Sequence, residues 1–230
     1  MNRRTVRYAF YKSIPVLAGY VVLGIGFGIL MRNAGYGLAW TAAMSIFIFA
    51  GSMQYVMVGL LTGGASLLTT AITTLMVNAR HLFYGISMIS RYKETGKKKP
   101  LLIFCLTDET YSLVCRDFPE ETDVQKYYLG VSLLNYFYWN LGTVIGAVVG
   151  SLITFNTAGI EFSMTALFVS VVVEQWLTAK NHLPALCGFA ASILALVLFG
   201  PSDFLIPAMI MIALSLLGSR SYNEKKEEAK

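Results

Sequence analysis

Charged side chains are scarce in this 230-residue chain, at 13% of its residues against about 25% in an average soluble domain. Between Asn33 and Ala79, 47 consecutive positions carry no Asp, Glu, Lys or Arg. This pattern excludes a water-soluble fold, because the outward faces of such a fold would need charge for solubility. A helix that crosses ~30 Å of hydrocarbon needs about 20 apolar residues, so the stretch is long enough for two membrane spans.

Cysteines are few, and nucleotide-binding motifs are missing. The three cysteines, Cys105, Cys115 and Cys187, lie in apolar segments at spacings that match no zinc site or disulfide framework, so we expect ordinary buried side chains. No Walker motif or dinucleotide fingerprint is present, and we expect no cofactor and no metal. The basic residues cluster near the N-terminus and between Arg91 and Lys99, which is typical of cytoplasmic loops and does not indicate a nucleic-acid partner.

Apolar segments separated by short polar stretches predict an all-α polytopic integral membrane protein, a helical bundle of about six to eight membrane segments in the lipid bilayer. We expect one transmembrane transporter domain over residues 1–218 and a polar cytoplasmic tail over residues 219–230. The first segment is too long for a signal peptide, and no cleavage site follows it. The predicted segments are Ser13–Met31, Leu38–Leu61, Ala65–Ser90, Leu101–Cys115, Tyr127–Thr154, Phe162–Thr178, Leu183–Phe199 and Phe204–Leu217.

The distribution of positive charge predicts the orientation of these segments. It favours the cytoplasm both for the N-terminus and for the loop Arg91–Lys99. Both conditions are met if the third segment, Ala65–Ser90, and the fourth, Leu101–Cys115, enter the membrane and turn back. We therefore expect six full spans, two broken or re-entrant segments and cytoplasmic termini. If the third and fourth segments both cross, the termini remain inside but the basic loop lies outside.

The third segment is interrupted by the string Asn78-Ala79-Arg80-His81. Arg80 is able to bind a substrate carboxylate through two parallel hydrogen bonds, and His81 is able to exchange a proton near neutral pH. A helix break here would add free N–H groups and carbonyls as ligands. The alternative is that Arg80 extends to the membrane interface or forms a purely structural ion pair.

The fourth segment carries two adjacent carboxylates, Asp108 and Glu109, near its middle. Neighbouring side chains on a helix point about 100° apart, so the two cannot both face one partner. We expect one of them to pair with Arg80 while the other faces the transport pathway and exchanges protons. A structural ion pair, or a location at the membrane interface, is the alternative.

The second segment carries small and polar residues in its middle. Gly51 allows close helix contact, and Ser52 and Gln54 are able to form hydrogen bonds between helices, so packing is the common explanation. A break in the helix at this point would instead expose its backbone to substrate. Small residues repeated at four-residue intervals, in Gly24–Gly28 and Gly142–Gly150, predict close helix contacts elsewhere.

A weak enzyme pattern also occurs. The string Gly64-Ala65-Ser66-Leu67 faintly resembles the serine motif of intramembrane rhomboid proteases, with His81 or His182 as the base. The glycine expected after the serine is missing, and we therefore expect that the protein is not an enzyme. The charged breaks favour a transporter, while the sequence is also compatible with a membrane scaffold subunit or with a channel or permease for another small solute.

Over nearly its whole length the sequence resembles the AzlC family, the large subunit of two-component branched-chain amino acid exporters of bacteria. Two small departures are Met53, where a small Ala is common, and Glu161, where Asp is common. The resemblance lies in Pro15…Gly19-Tyr20…Gly24…Phe27-Gly28, Phe49-Ala50-Gly51-Ser52-Met53-Gln54, Asn78-Ala79-Arg80-His81…Tyr84-Gly85, Thr107-Asp108-Glu109…Tyr111, Tyr138-Trp139…Gly142-Thr143…Gly146 and Gly159-Ile160-Glu161-Phe162.

This resemblance implies export of leucine, isoleucine, valine and analogues across the bacterial inner membrane. It also implies a small hydrophobic AzlD-type subunit as partner and coupling to the proton gradient. We expect the substrate carboxylate to meet Arg80 or backbone N–H groups and the ammonium to meet Asp108. The predicted substrate-binding residues are Gly51, Ser52, Gln54, Asn78, Arg80, Tyr84 and Asp108, and the predicted proton-coupling residues are His81, Asp108 and Glu109.

Overall fold

The computed structural model describes residues 3–116, 118, 119, 123–152, 181–204, 207, 208, 210–215 and 218, together with isolated positions between 159 and 177. These residues form helices, turns and irregular segments and contain no strand, so the prediction of an all-α fold is confirmed for them. The chain divides into two compact units, Met1–Met164 and Thr165–Lys230.

The described part of the first unit contains eight α-helices and one 3-10 helix. The second unit contains α9, Leu183–Asp203. The helices of the first unit are α1 Arg3–Asn33, α2 Leu38–Phe47, α3 Gly51–Thr62, α4 Leu67–Asn78, α5 Arg80–Met88, the 3-10 helix Lys93–Lys98, α6 Lys99–Phe104, α7 Asp108–Val114 and α8 Val124–Leu152.

The helices α1 and α8 pack side by side and run parallel. Ala9 lies against Gly130, and further along both helices Gly24 lies against Thr143. A Cβ on Gly24 would stand only 2.9 Å from the backbone nitrogen of Thr143, and a Cβ on Gly146 would overlap the α1 backbone. The predicted small-residue contacts are therefore present, and glycine is required because the two backbones touch.

The helices α2 and α3 form a hairpin. α2 starts at the C-terminal end of α1 and ends near the middle of α8, where Tyr136 Oη donates to the carbonyl of Ile46 at 3.0 Å. On α3, Tyr55 Oη donates to the carbonyl of Leu23 at 2.6 Å, and its ring lies 5.9 Å from Phe27. α3 therefore runs back toward the C-terminal end of α1.

The turn between α2 and α3 places Phe49 in the left-handed region, at φ 43°. This conformation costs a non-glycine residue about 1–2 kcal/mol. The Phe49 ring is almost fully buried and lies 5.0 Å from Tyr136, 6.1 Å from Phe104 and 6.4 Å from Tyr20. These aromatic contacts hold the turn in place against its backbone strain.

The helices α4 and α5 together run antiparallel to α1. α5 ends at Met88, which is buried in an apolar cluster with Ala9 and Tyr127 near the N-terminal ends of α1 and α8. Ala79, between α4 and α5, keeps helical dihedrals of φ −55° and ψ −31°. The break expected at Asn78-Ala79-Arg80-His81 is therefore a one-residue interruption without unwinding.

The helices α6 and α7 form a second hairpin. Its open end lies near the N-terminal ends of α1 and α8, whereas that of the α2–α3 hairpin lies toward the C-terminal end of α1. Leu102 of α6 joins the same apolar cluster as Met88, and the Phe104 ring lies 6.0 Å from Tyr136, near the middle of α8. α7 then returns, since Tyr127 Oη reaches the carbonyl of Leu113. The expected break in the fourth segment is present, over residues 105–107.

The expectation for the second and third segments is wrong in one respect. The second segment, expected to cross, turns back at residues 48–50, whereas the third, expected to turn back, continues as α4 and α5. Charge in the third segment suggested unwinding, but Arg80 finds partners on two other helices without it. The turn occurs instead where Phe49 adopts a left-handed conformation.

Three charged parts of the chain meet at one end of the first unit. Tyr92, next to the basic 3-10 helix, stacks edge-on against Tyr128 at 5.3 Å, and Gln125 Nε2 donates to the carbonyl of Glu94 at 3.0 Å. The N-terminal part of α1 reaches the same cluster through Ala9. The N-terminus, the basic segment and the start of α8 therefore lie together.

Two helices among the described residues are long and apolar enough to cross a membrane, Arg4–Asn33 and Leu183–Pro201. His182 stands at the start of α9 and stacks on Trp176 at 4.4 Å within the second unit. Most of the sixth predicted segment lies outside the described residues, as do Glu161 and the predicted tail. The predicted division into one transmembrane domain and a tail stays a prediction.

Candidate functional site

The site is organised around Arg80, at the start of α5. Its Nη2 lies 3.0 Å from Asp108 Oδ2 and donates to Ser52 Oγ at 2.6 Å. The Arg80 and Asp108 side chains are 29% and 26% exposed, so the ion pair is mostly buried but open to approach. The expected pairing of Arg80 with one of the two carboxylates is present, and Ser52 joins it.

Two helix N-termini meet at this ion pair. Ser52 lies in the first turn of α3, and Asp108 is the first residue of α7. Thr107 caps α7, since its Oγ1 accepts a hydrogen bond from the N–H of Thr110 at 3.2 Å. An acid in the first turn of a helix is favoured by the free N–H groups there, which is why the chain places Asp108 at this position.

Glu109 faces α1 and has a neutral partner. Tyr20 Oη donates to Glu109 Oε2 at 2.7 Å and lies 2.6 Å from Thr107 Oγ1. A buried chain of hydrogen bonds continues through Thr110 Oγ1 to Asn135 Nδ2 on α8, at 3.0 Å. The two adjacent carboxylates therefore have separate partners, as their angular separation on a helix predicts.

Aromatic and polar side chains of the α4–α5 junction surround Asp108. His81 Nδ1 lies 3.2 Å from the carbonyl of Asn78, a geometry that places the proton on Nδ1. Tyr84 interacts with the Asp108 carboxylate, packs against His81 at 5.8 Å and stacks on Tyr111 at 4.6 Å. Of the predicted site residues, Ser52, Arg80, His81, Tyr84 and Asp108 are thus brought together.

Two of the predicted site residues have an acceptor atom without a hydrogen-bond partner. Within the described residues, buried Asp108 Oδ1 and buried Asn78 Oδ1 have none. Both are oxygen acceptors, and an ammonium group, with three N–H donors, satisfies such atoms. No group of three or more His, Cys, Asp or Glu suited to a metal ion occurs in the part of the chain that the structure describes.

Gly51 and Gln54 lie on the far side of the α2–α3 turn, against α8. Gln54 is completely buried, and its Oε1 accepts from the N–H of Ala50 at 3.2 Å and from Trp139 Nε1 at 3.0 Å. A Cβ on Gly51 would stand 3.0 Å from the Trp139 ring. These two residues therefore support the turn that carries Ser52, through contacts with the turn itself and with α8.

The AzlC protein family model matches residues 15–153, which include every residue named in this site. The chain belongs to the AzlC family. It is 43% identical to the branched-chain amino acid transport protein AzlC of Bacillus subtilis, over 99% of this chain and 92% of the relative. It is 40% identical to an uncharacterized membrane protein of Haemophilus influenzae, over 90% of this chain and 86% of the relative. It is 29% identical to the inner membrane protein YgaZ of Escherichia coli, over 86% of this chain and 82% of the relative. No solved structure matches the chain.

Membership of the AzlC family makes this chain a bacterial membrane protein from a transporter family, and not an enzyme. Geometry also excludes His81 as the base of the protease alternative. Ser66 caps α4, with its Oγ accepting from the N–H of Thr69 at 3.1 Å. His81 lies 15 residues further along α4 and α5, about 22 Å away at 1.5 Å per helical residue.

Sequence reasoning missed several residues of this AzlC-family site. Thr107 could have been recognised, because a threonine followed by two acids is a helix N-cap pattern. Tyr20 gave no signal, since its contacts to Thr107 and Glu109 span 87 and 89 residues. Phe49 gave none either, because phenylalanine rarely adopts positive φ.

Proposed function

We propose that this protein exports branched-chain amino acids across the bacterial inner membrane, driven by the proton gradient and assembled with a small AzlD-type subunit. The observation that carries the proposal is the Ser52–Arg80–Asp108 cluster at the meeting point of two helix N-termini. It is supported by 43% identity to a branched-chain amino acid transport protein over almost the whole chain.

The substrate binds by opening the internal ion pair. An amino acid carries a carboxylate and an ammonium, the same two charges that Arg80 and Asp108 present to each other at 3.0 Å. The carboxylate takes the place of Asp108 on Arg80 and Ser52, while the ammonium binds Asp108 and the free acceptor of Asn78. No net charge is introduced into the membrane, because each new contact replaces an equivalent one.

The aliphatic side chain is recognised by apolar and aromatic surroundings. Each buried CH₂ contributes about 0.8 kcal/mol, so leucine, isoleucine and valine differ only modestly in affinity, whereas alanine binds more weakly. Discrimination against acids without an ammonium, or amines without a carboxylate, is stronger because one member of the ion pair would then be left without its partner.

The orientation follows from the charged end of the first unit. The N-terminal arginines and the segment Arg91–Lys99 lie at the same end and face the cytoplasm. α1, α4–α5 and α8 then cross the membrane, and the two hairpins enter from opposite sides. With the sixth segment, α9 and the eighth segment also crossing, six full spans, two re-entrant hairpins and two cytoplasmic termini result.

Proton coupling resides in His81, Asp108 and Glu109, with different tasks. Asp108 is held by Arg80, so it loses that partner only when substrate enters. Glu109 is held by the neutral phenol of Tyr20 and is the carboxylate that changes protonation between the two sides. His81 lies beside the ion pair and transfers protons to and from it.

The test is efflux of labelled leucine, isoleucine and valine from cells that express the chain with and without its small partner. Arg80→Leu should abolish both efflux and resistance to a toxic leucine analogue while the protein remains in the membrane. Arg7→Leu, which removes an exposed arginine near the N-terminus, is the matched control and should behave as wild type. Normal resistance to the analogue in the Arg80 variant would contradict the proposal. Efflux whose rate does not depend on the proton gradient would indicate a channel.

A further inference from the structure

Two parts of the chain resemble each other in sequence. Phe27-Gly28-Ile29-Leu30-Met31 in α1 and Tyr84-Gly85-Ile86-Ser87-Met88 in α5 share Gly, Ile and Met at equivalent places and an aromatic residue at the start. Further along, Ser52-Met53-Gln54-Tyr55 opens α3, and Asp108-Glu109-Thr110-Tyr111 opens α7. The two strings of the first pair lie 57 positions apart in the chain, and those of the second pair lie 56 positions apart.

The structure pairs the equivalent residues in the same way. Phe27 of the first copy contacts Tyr55 of its own hairpin, with ring centroids 5.9 Å apart. Tyr84 of the second copy contacts Tyr111 of its own hairpin at 4.6 Å. Each long helix therefore touches the returning arm of the hairpin that follows it through an aromatic pair at matching positions.

The two copies run in opposite directions. α4–α5 is antiparallel to α1, and the two hairpins open toward opposite ends of the unit. α8 supports both hairpins near its middle, through Trp139 on Gln54 and Asn135 on Thr110, one helical turn apart. Gln54 and Thr110 are themselves equivalent positions in the two strings. Inverted repeats of this kind, with broken helices meeting near mid-membrane, are a recurrent architecture of transporters.

The ion pair lies where the two copies meet. Ser52 and Asp108 occupy equivalent positions, and both contact Arg80. Tyr55 is one helical turn beyond Ser52 and Tyr111 one turn beyond Asp108, on arms that run toward opposite ends. The two aromatic pairs thus flank the ion pair on opposite sides along the direction in which a substrate would pass.

We infer that residues 27–55 and 84–111 form an inverted repeat and that its aromatic pairs, Phe27–Tyr55 and Tyr84–Tyr111, are the two gates of the substrate site. The inference rests on the proposed function, because a gate has meaning only if a solute passes. One pair separates while the other stays in contact, so the ion pair is reached from one side at a time. Tyr55 and Tyr111 are positioning residues of these gates and do not themselves bind substrate.

A thiol one residue before Arg80 tests this inference without any substrate. Ala79→Cys is introduced after replacement of the native cysteines by serine, and its labelling by a membrane-impermeant thiol reagent is measured from each side, in intact cells and in inverted vesicles. Tyr55→Ala should raise the labelling rate at least several-fold from one side only, and Tyr111→Ala from the other side only. An increase on the same side for both variants, or no increase for either, would overturn the inference.

Matched variants keep the test interpretable. Tyr55→Phe and Tyr111→Phe lose the hydroxyl hydrogen bonds to Leu23 and Ser87 but keep the rings, so they should label at the rate of the parent. Labelling in them as fast as in the Ala variants would show that a general loosening of the fold exposes the thiol and would overturn the gates. Tyr11→Ala removes an exposed tyrosine near the N-terminus and should change nothing. If the cysteine-free chain is not recovered from membranes, buried Cys105 is kept and only the other two are replaced.

Failure of the gates and failure of the proposed function give different results. One-sided labelling changes with no efflux of branched-chain amino acids would leave the gates in place and assign them to another solute. Normal efflux of leucine combined with equal labelling from both sides in the tyrosine variants would remove the gates and leave the exporter intact.

Discussion

Replacement of Asp108 by asparagine should convert the site from one that binds zwitterions to one that binds carboxylates. Asparagine keeps the volume and the position at the start of α7 but removes the negative charge that faces Arg80 at 3.0 Å. Arg80 keeps its hydrogen bond to Ser52 and remains available to a substrate carboxylate. The substrate ammonium loses its only charged partner in the proposed binding mode.

The size of the effect follows from the geometry of the ion pair. A hydrogen bond to a charged group contributes about 1.5–3 kcal/mol, and each 1.4 kcal/mol is tenfold in affinity. Because the Asp108 side chain is 26% exposed and so partly screened by solvent, the lower half of that range applies. The affinity for leucine should fall by roughly 10- to 40-fold.

The assay is competition against labelled leucine in proteoliposomes that contain the chain and its small partner. Three competitors are compared, namely leucine, 4-methylpentanoate without the ammonium, and 3-methylbutylamine without the carboxylate. In Asp108→Asn, leucine should compete more weakly than in the wild type, while 4-methylpentanoate should compete equally well or better. An equal loss of competition by leucine and by 4-methylpentanoate, or no loss for leucine, would refute the idea that the substrate ammonium replaces Arg80 on Asp108.

Three further outcomes are expected from the helix contacts. Gly146→Leu should abolish the folded protein in membranes, because extra methylenes in a packed contact cost about 1–3 kcal/mol or more and here they would meet rigid backbone, whereas Gly19→Leu, at a position with open space, should be tolerated. Trp139→Phe removes the donor that holds the α2–α3 turn and should lower Tm in detergent by roughly 2–8 °C, while Trp40→Phe, at an exposed position, should not. Ser66→Ala should keep full efflux and cost about 1 kcal/mol of stability through the lost helix cap, and loss of efflux would contradict the structural role of this serine.

Hydropathy and isolated charges were enough to predict the all-α fold and the pairing of Arg80 with one of the two adjacent carboxylates. Arg80 and Asp108 each stand in an apolar segment, where a charge is costly without a partner, so their pairing could be expected from the sequence alone. That Glu109 does not share the partner of Asp108 also follows from its angle on the helix. These features depend on local sequence and on a simple electrostatic requirement.

The direction of the chain at the breaks could not be predicted in the same way. Charge marked the interruptions near Arg80 and Asp108, but the return of α3 depends on the backbone of Phe49 and on rings from three other helices. The chain therefore turns back in an uncharged segment and continues through the charged one at Arg80. Contacts such as Tyr20 with Glu109 join residues 89 positions apart and have no local signal.

The parallel pairing of α1 and α8 has a consequence for synthesis. Gly24 and Thr143 touch backbone to backbone, yet more than a hundred residues separate them in the chain. During translation α1 enters the membrane long before its partner exists, and both hairpins emerge without the helix that supports them. The glycine surface of α1 must stay exposed to lipid or to another protein until α8 is made. A chain released from the ribosome before α8 is complete therefore carries Arg80 and Asp108 but lacks the helix that supports both hairpins.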